Sequence, residues 1–282
     1  MSTQFIRVQL YEIQTPAEAE ALIALGVDHI GSVILSTSRW KDATIRETVR
    51  LTRSAGARSS LIPLFNTPAT VMEMLEYYRP DIVHFCESVS DPNGMLEICR
   101  KLVNLQKQVK KNFPEIAIMR SIPIAPPGYA RHVPTLELAG LFEPASDYFL
   151  TDTLLIQNTS KTGPADQPVN GFIGITGRTC DWIMARKLVD AARIPIILAG
   201  GISPNNVVEG LRQVRPAGVD SCTGTNARDR YGHPIRFKKD PVRVKRLVDA
   251  VREFEAGLQL DDLRPGSHRP PADGDHEKGH HS

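Results

Sequence analysis

Two glycine-containing segments carry the clearest chemistry in this sequence. Ala199-Gly200-Gly201-Ile202 follows an apolar run and precedes Ser203-Pro204, which is typical of a helix start. Glycine lets the backbone approach a ligand closely, and free N–H groups at a helix start attract anions. Ser221-Cys222-Thr223-Gly224-Thr225 adds small residues and hydroxyls. Together the segments predict a phosphate cradle, and two tight turns without a ligand are the alternative.

Two charged residues also follow apolar runs. Asp152 comes just after residues 147–150, and a partly buried Asp can keep a raised pKa and donate a proton. The alternative is an Asp that caps the next turn. Arg39 lies in Ser36-Thr37-Ser38-Arg39-Trp40 and can hold a carboxylate through two hydrogen bonds. A surface ion pair with Asp42 is the alternative for Arg39.

Strand and helix patterns alternate along the chain. Residues 5–13 predict a first strand, and Thr15-Pro16 predicts a helix that ends at Gly26. The other predicted strands are residues 29–35, 57–65, 81–86, 115–122, 147–150, 195–199 and 218–222. The helices between and after them cover residues 45–55, 92–112, 134–142, 180–192 and 241–256, with two more starting at Thr67-Pro68 and Ser203-Pro204.

Eight strands that alternate with helices predict an α/β protein with a single (β/α)8 barrel, the TIM barrel, over residues 1–260. An open doubly wound sheet is the alternative, but no Gly-x-Gly-x-x-Gly follows the first strand. Residues 261–282 are rich in Pro, Gly and His and predict a disordered tail without a metal role. Active sites of such barrels lie at the carboxyl ends of the strands.

Composition excludes several classes of function. The 282 residues are 41% hydrophobic and 23% charged, with a net charge of +2, which argues against nucleic-acid or membrane binding. The 4 cysteines form no Cys-x-x-Cys pair, and no secretory or membrane-spanning run is present. We therefore expect a cytoplasmic monomer or homodimer that acts on a phosphorylated small molecule and needs no cofactor.

Taken in order, several segments resemble the phosphoribosylanthranilate isomerase family from about Val8 to Phe254. Besides the two glycine-containing segments, they are Ser38-Arg39-Trp40, Leu61-Ile62-Pro63-Leu64-Phe65-Asn66, Leu150-Thr151-Asp152-Thr153, and Gly174-Ile175-Thr176-Gly177 with Asp181-Trp182. The Asp-Trp and Ala-Gly-Gly segments are the most specific to the family.

The resemblance implies an Amadori rearrangement of a phosphoribosyl aryl amine, of the tryptophan-biosynthesis type. Asp152 would be the acid that opens the ribose ring, and Arg39 would hold the anthranilate carboxylate. The residues implied to hold the phosphate are Gly177, Gly200, Gly201, Thr223 and Gly224.

The first strand departs from the family pattern. The family reads roughly Val-Lys-Ile-Cys-Gly-Ile-Thr, whereas this chain reads Val8-Gln9-Leu10-Tyr11-Glu12-Ile13-Gln14. Tyr11 therefore replaces the cysteine that acts as the base, and an ordinary tyrosine, with a pKa near ~10, is a poor base at neutral pH. Glu12 is a second candidate for the base, although strand alternation would turn it away if Tyr11 faces inward, unless a bulge intervenes.

His84 and Cys86 on the fourth strand are further ionisable candidates, and filling of the barrel interior is the alternative for both. The loop that includes residues 161–166 is longer than the family usually has and predicts either an active-site lid or a flexible insertion. Three functions remain open at this point: this isomerase, another phosphosugar isomerase or lyase, and a non-catalytic barrel whose site Tyr11 fills.

Overall fold

A closed barrel of eight parallel strands forms the molecule, and the computed structural model describes residues 5–91, 94–155 and 169–262. The strands are β1 (Arg7–Leu10), β2 (His29–Ile34), β3 (Arg58–Pro63), β4 (Ile82–Phe85), β5 (Ala117–Ile124), β6 (Tyr148–Thr153), β7 (Ile196–Leu198) and β8 (Gly218–Asp220). Neighbours in sequence are neighbours in the sheet, and β8 pairs with β1. The predicted (β/α)8 barrel is confirmed.

Eight helices surround the strands. They are α1 (Pro16–Ala24), α2 (Ala43–Ser54), α3 (Pro68–Tyr78), α4 (Cys99–Asn112), α5 (Thr135–Phe142), α6 (Trp182–Ala191), α7 (Val207–Val214) and α8 (Pro241–Asp262). The Thr15 side chain accepts a hydrogen bond from the backbone N–H of Glu18, as the sequence predicted for the start of α1. Asp181 caps α6 in the same way, through the N–H of Met184. Each cap satisfies an N–H group that the helix itself leaves unpaired.

Two hairpins depart from the predicted pattern. The helix predicted over residues 92–112 begins only at Cys99, because a short hairpin of Ser90–Asp91 and Gly94–Met95 precedes it. Gly94 takes a φ of 121°, which a helix does not contain. A second hairpin, Asn226–Arg228 paired with Pro234–Lys239, follows β8 and was not predicted. We call it the β8 hairpin.

The structure also moves two predicted boundaries. Strand β6 extends to Thr153, so Asp152 lies on the strand and not after it. Helix α8 continues to Asp262, past the predicted end of the barrel at residue 260. The rest of the predicted tail, residues 263–282, and the predicted insertion at residues 161–166 lie outside the described residues.

Apolar side chains fill two layers. One cluster occupies the barrel interior and includes Tyr11, Ile62, Met119, Leu150 and Ile197. Larger clusters lie between the strands and the surrounding helices. None of the helices within residues 5–91, 94–155 and 169–262 is long and apolar enough to cross a membrane.

Candidate active site

A cavity opens at the carboxyl ends of the barrel strands. Its polar and ionisable lining residues include Tyr11, Glu12, His84, Asp152 and Asp220. Its small lining residues include Gly174, Gly177, Ala199, Gly200, Gly201, Thr223 and Gly224. The structure therefore brings together all but one of the predicted site residues.

Three glycine-containing loops form the β6–β8 side of this cavity. Gly200 and Gly201 have φ values of 82° and 69°, which favour glycine. A Cβ atom at Gly201 would lie 2.6 Å from the backbone carbon of Arg178 and the backbone nitrogen of Thr179. The loop after β7 thus touches the backbone of the segment before α6, with no room for a side chain.

The loop after β8 packs equally closely on the loop after β7. The Ser221 hydroxyl donates to the Ile202 carbonyl at 2.7 Å, and a Cβ atom at Gly224 would lie 2.3 Å from that same oxygen. Asn206 fixes the other end of the loop after β7, because its side-chain amide donates to the Gly201 carbonyl at 3.0 Å. Because these loops contact each other through their backbones, a phosphate bound here would meet main-chain dipoles.

Asp152 lies beside these loops and is partly buried in the cavity wall. Burial, and then the negative charge of Asp220, raise its pKa to about 7, against a smaller lowering by the N–H of Thr153, which donates to Oδ1 at 3.0 Å. A Cβ atom at Gly174 would lie 2.4 Å from its Oδ2 atom. A carboxyl group with this pKa is about half protonated at neutral pH, so a substantial fraction can donate a proton.

Asp220 is a second acidic group in the same cavity, and no role was predicted for it. It is buried at the end of β8, and its Oδ1 accepts a hydrogen bond from the Gln9 side chain at 3.3 Å. Burial raises its pKa to about 7, while the Lys239 ammonium and the Gln9 hydrogen bond oppose the rise. Its signal in the sequence was the same as that of Asp152, an acidic residue where an apolar strand ends.

Tyr11 points into the barrel, where two polar groups bind its hydroxyl. That oxygen lies 2.5 Å from Ser60 Oγ and 2.8 Å from His84 Nδ1, and His84 Nε2 lies 2.8 Å from Ser121 Oγ. The ring lies so close to Gly31 that a Cβ atom there would be 2.1 Å from it. Burial raises the pKa of Tyr11 well above its ordinary value and lowers that of His84 to about 3, so both groups are neutral near pH 7.

Glu12 also lines the cavity. Strand β1 ends at Leu10, so the alternation that would point Tyr11 and Glu12 in opposite directions does not apply to them. Its φ of 68° turns the backbone after the strand. The buried carboxylate accepts from Arg236 Nε at 2.7 Å and from the backbone N–H of Phe237 at 3.2 Å. Glu12 thereby ties the β8 hairpin to the barrel mouth.

Arg39 is the predicted site residue that the structure leaves outside the cavity. It is exposed on the short turn Thr37–Arg39 after β2. No arginine or lysine is among the described residues that line the cavity.

Cys86 and Cys222 do line the cavity, and burial raises the pKa of both thiols, that of Cys222 to about 12.

The model of the N-(5'-phosphoribosyl)anthranilate isomerase family matches residues 152–227, which run from Asp152 through the loops after β7 and β8. The isomerase of Methanocella arvoryzae is 28% identical over 255 residues, which are 87% of this chain and 98% of that protein. Isomerase 1 of Methanosarcina mazei is 25% identical and covers 89% and 97%. The family model and these relatives support the phosphoribosylanthranilate isomerase family for this chain.

Solved members of the family share the barrel. The Thermotoga maritima enzyme aligns with a TM-score of 0.59 at 18% identity, over 88% of this chain and all of that one. A family structure in complex with reduced 1-(o-carboxyphenylamino)-1-deoxyribulose 5-phosphate aligns at 0.60 with 17% identity, over 88% and 100%. Tyr11 stands in this chain where the resemblance described above implies a catalytic cysteine.

Proposed function

We propose that this protein is an enzyme that isomerises N-(5'-phosphoribosyl)anthranilate or a close analogue to the corresponding 1-amino-1-deoxyribulose phosphate. The observation that carries the proposal is one cavity in which a carboxyl group with a pKa of about 7, Asp152, stands beside glycine-lined loops. The substrate's phosphate would lie against Gly177, Gly200, Gly201, Thr223 and Gly224, where the sequence predicted it. We infer a cytoplasmic monomer or homodimer that needs no cofactor.

Asp152 would carry out the first step. Its proton passes to the ribose ring oxygen, the bond from that oxygen to C1 breaks, and the nitrogen lone pair forms an iminium group with C1. Strands β2 and β3 lie across the barrel from β6 and β7, and their ends supply Val33, Ile62 and Leu64. This apolar wall suits the aryl ring of the substrate. Arg39 stays the proposed partner of the anthranilate carboxylate.

The test is an assay of purified protein with phosphoribosylanthranilate. We expect turnover in the wild type and a fall in kcat of about 10²–10⁴-fold in Asp152→Asn, because general acid catalysis supplies about that much. Asp152→Asn should still bind reduced 1-(o-carboxyphenylamino)-1-deoxyribulose 5-phosphate within about tenfold of wild type, which controls for folding. No wild-type turnover, or full activity in Asp152→Asn, would overturn the proposal.

A second candidate is another phosphosugar isomerase whose substrate lacks a carboxylate. The observation that favours it is the absence of arginine and lysine from the described cavity lining. The two functions separate when the phosphoribosyl adducts of anthranilate and of aniline are assayed side by side. Equal kcat/KM for the two adducts, unchanged in Arg39→Ala, supports this second candidate.

A further inference from the structure

The proposed rearrangement needs a base as well as an acid, and this inference about the base rests on the proposed function. After ring opening, the proton on C2 of the sugar has to be removed. Tyr11 occupies the position of the family's catalytic cysteine, but its hydroxyl is bound by Ser60 and His84 and stays neutral. Removing a carbon-bound proton requires an acceptor that is unprotonated and free to turn toward C2.

Glu12 has a carboxylate, but hydrogen bonds hold it in place. Arg236 binds its Oε1 through Nε, and the backbone N–H of Phe237 binds its Oε2, so both oxygens of the carboxylate face the β8 hairpin. To reach a substrate, Glu12 would have to break these contacts and leave Arg236 without its partner. That cost argues against Glu12 as the base and for a role in holding the hairpin in place.

The two thiols of the cavity are also poor acceptors. Burial, and then the charges of Glu87 and Asp152, raise the pKa of Cys86 and favour the neutral thiol. Cys222 lies 4.0 Å from the Lys239 ammonium, but that ammonium is already bound by the Cys222 carbonyl at 2.9 Å and by the Asn226 side chain at 2.6 Å. The thiolate, which is the reactive form, is disfavoured at both positions.

Asp220 differs from all four of these residues. It lies at the end of β8, the strand that pairs directly with β1, so it flanks the position of the replaced cysteine. Its Oδ1 has one hydrogen bond, the 3.3 Å contact from Gln9, which leaves acceptor capacity for a substrate proton. Thr223 and Gly224 follow within four residues and line the same cavity, so Asp220 lies close in the chain to the proposed phosphate site.

The geometry points to Asp220 as the base that removes the C2 proton, opposite the acid Asp152. In this step the C2–H bond breaks and the proton passes to the Asp220 carboxylate. The electron pair forms a C1=C2 double bond, and the electrons of the C1=N bond move to the iminium nitrogen, giving a neutral enaminol. Asp220 then protonates C1, and the C2 hydroxyl proton passes to the Asp152 carboxylate, which yields the ketone and restores both groups to their starting protonation states. The carbon C1 is reduced and C2 is oxidised, so no external oxidant or reductant is needed.

The assignment predicts a characteristic pH dependence. Asp220 shares the cavity lining with the titratable groups of Tyr11, Glu12, His84, Cys86, Asp152 and Cys222, and the Lys239 ammonium of the β8 hairpin also acts on it. Asp220 must be ionised and Asp152 protonated in the active form, and each has a pKa raised to about 7. Activity should therefore rise with pH toward 7, fall above it, and follow the titration of the pair as a unit.

Four variants test the assignment with phosphoribosylanthranilate as substrate. We expect Asp220→Asn to lower kcat by about 10²–10⁴-fold, while it still binds the reduced product analogue within about tenfold of wild type. Its residual activity should no longer rise between pH 5 and 7, a change that a purely structural role would not cause. Asp220→Glu keeps a carboxylate and should retain more activity and the rise with pH. Cys222→Ser should lose less than about tenfold, and Asp190→Asn, an exposed carboxylate on α6, is the surface control.

The outcomes separate this inference from the function on which it rests. Absence of wild-type turnover overturns the proposed function and the base together. Wild-type turnover that persists in Asp220→Asn overturns the base alone. A loss in Cys222→Ser as large as that in Asp220→Asn would assign the proton transfer to the thiol instead.

Discussion

The two sides of the cavity are built by different means. On the β6–β8 side, loops without side chains meet backbone to backbone, and two carboxyl groups, Asp152 and Asp220, stand among them. On the β1–β4 side, side chains fill the barrel and bind one another, as Tyr11 does with Ser60 and His84. The family model matches residues 152–227, a range that includes Asp152, Asp220 and the loops after β7 and β8 on the first side.

This difference indicates which parts of the site tolerate changes in amino-acid sequence. A phosphate cradle made of main-chain groups requires glycine at a few points and little else, so its sequence signal is strong. The opposite side needs only a packed wall, which many combinations of side chains can supply. In this chain Tyr11 is part of that wall: Ser60 and His84 bind its hydroxyl, and Gly31 makes room for its ring. The two carboxyl groups to which we assign the proton transfers lie on the other side.

The largest predicted effect concerns the contact between the two sides. Arg120 on β5 and Glu87 after β4 form a buried ion pair, with 2.6 Å between Nη1 and Oε2 and side-chain exposures of 0% and 3%. Arg120 also donates to the Glu87 carbonyl at 2.7 Å, and Glu87 forms a bridge with Phe172 on the loop that lines the cavity. Glu87→Gln leaves the arginine charge buried and unpaired, so we expect a loss of about 3–5 kcal/mol in the free energy of unfolding.

Denaturant unfolding measures this loss, and the double variant Glu87→Gln with Arg120→Met is its control. Because the double variant removes both charges, it should recover most of the stability. A loss below about 1 kcal/mol in Glu87→Gln, which is typical of exposed pairs, would contradict the assignment of this pair as the contact that holds the two sides together.

The second prediction tests the backbone side alone. In Gly201→Ala the new Cβ would lie 2.6 Å from the backbone of residues 178 and 179, and the two loops would have to move apart. We expect the affinity for the reduced product analogue to fall about a hundredfold, which corresponds to ~2.7 kcal/mol. Gly56→Ala is the matched control, since Gly56 also has a positive φ, 81°, but nothing lies within 4 Å of its Cβ position.

Calorimetric titration of both glycine variants with the analogue separates strain from loss of the cradle. Both should lose some stability, because alanine is strained at a positive φ. Loss of affinity in Gly56→Ala as well, or normal affinity in Gly201→Ala, would show that close contact between these loops does not matter for binding.

The sequence predicted the barrel and the β6–β8 side well for the same physical reason. Alternating strands and helices leave few folds open, and Gly200, Gly201 and Asp152 are local signals that can be read one segment at a time. The β8 hairpin was missed because Pro234–Lys239 is largely exposed, and the alternation of Ile235 and Phe237 with charged residues is too short to mark it as a strand. The hairpin of Ser90–Asp91 and Gly94–Met95 was missed because its second strand lies within the helix predicted over residues 92–112.

The β1–β4 side could not be read from the sequence because its properties depend on distant contacts. Tyr11, Ser60 and His84 meet only once the barrel closes, and no spacing along the chain indicates that they do. The partner of Glu12, Arg236, lies 224 residues away on the hairpin that was not predicted. Whether Tyr11 or Glu12 takes part in catalysis stays a prediction, and the geometry around each favours a structural role.

The smallest predicted effect decides whether the β1–β4 side takes part in proton transfer. Tyr11→Phe keeps the ring against Gly31 but removes the hydroxyl, so Ser60 and His84 each lose a hydrogen-bond partner. We expect the free energy of unfolding to fall by about 1–2 kcal/mol, with kcat within about threefold of wild type. Denaturant unfolding and the isomerase assay measure the two quantities on one preparation. If kcat instead falls a hundredfold while stability is unchanged, the hydroxyl transfers a proton, and the two sides of the cavity share the chemistry that we assign to Asp152 and Asp220.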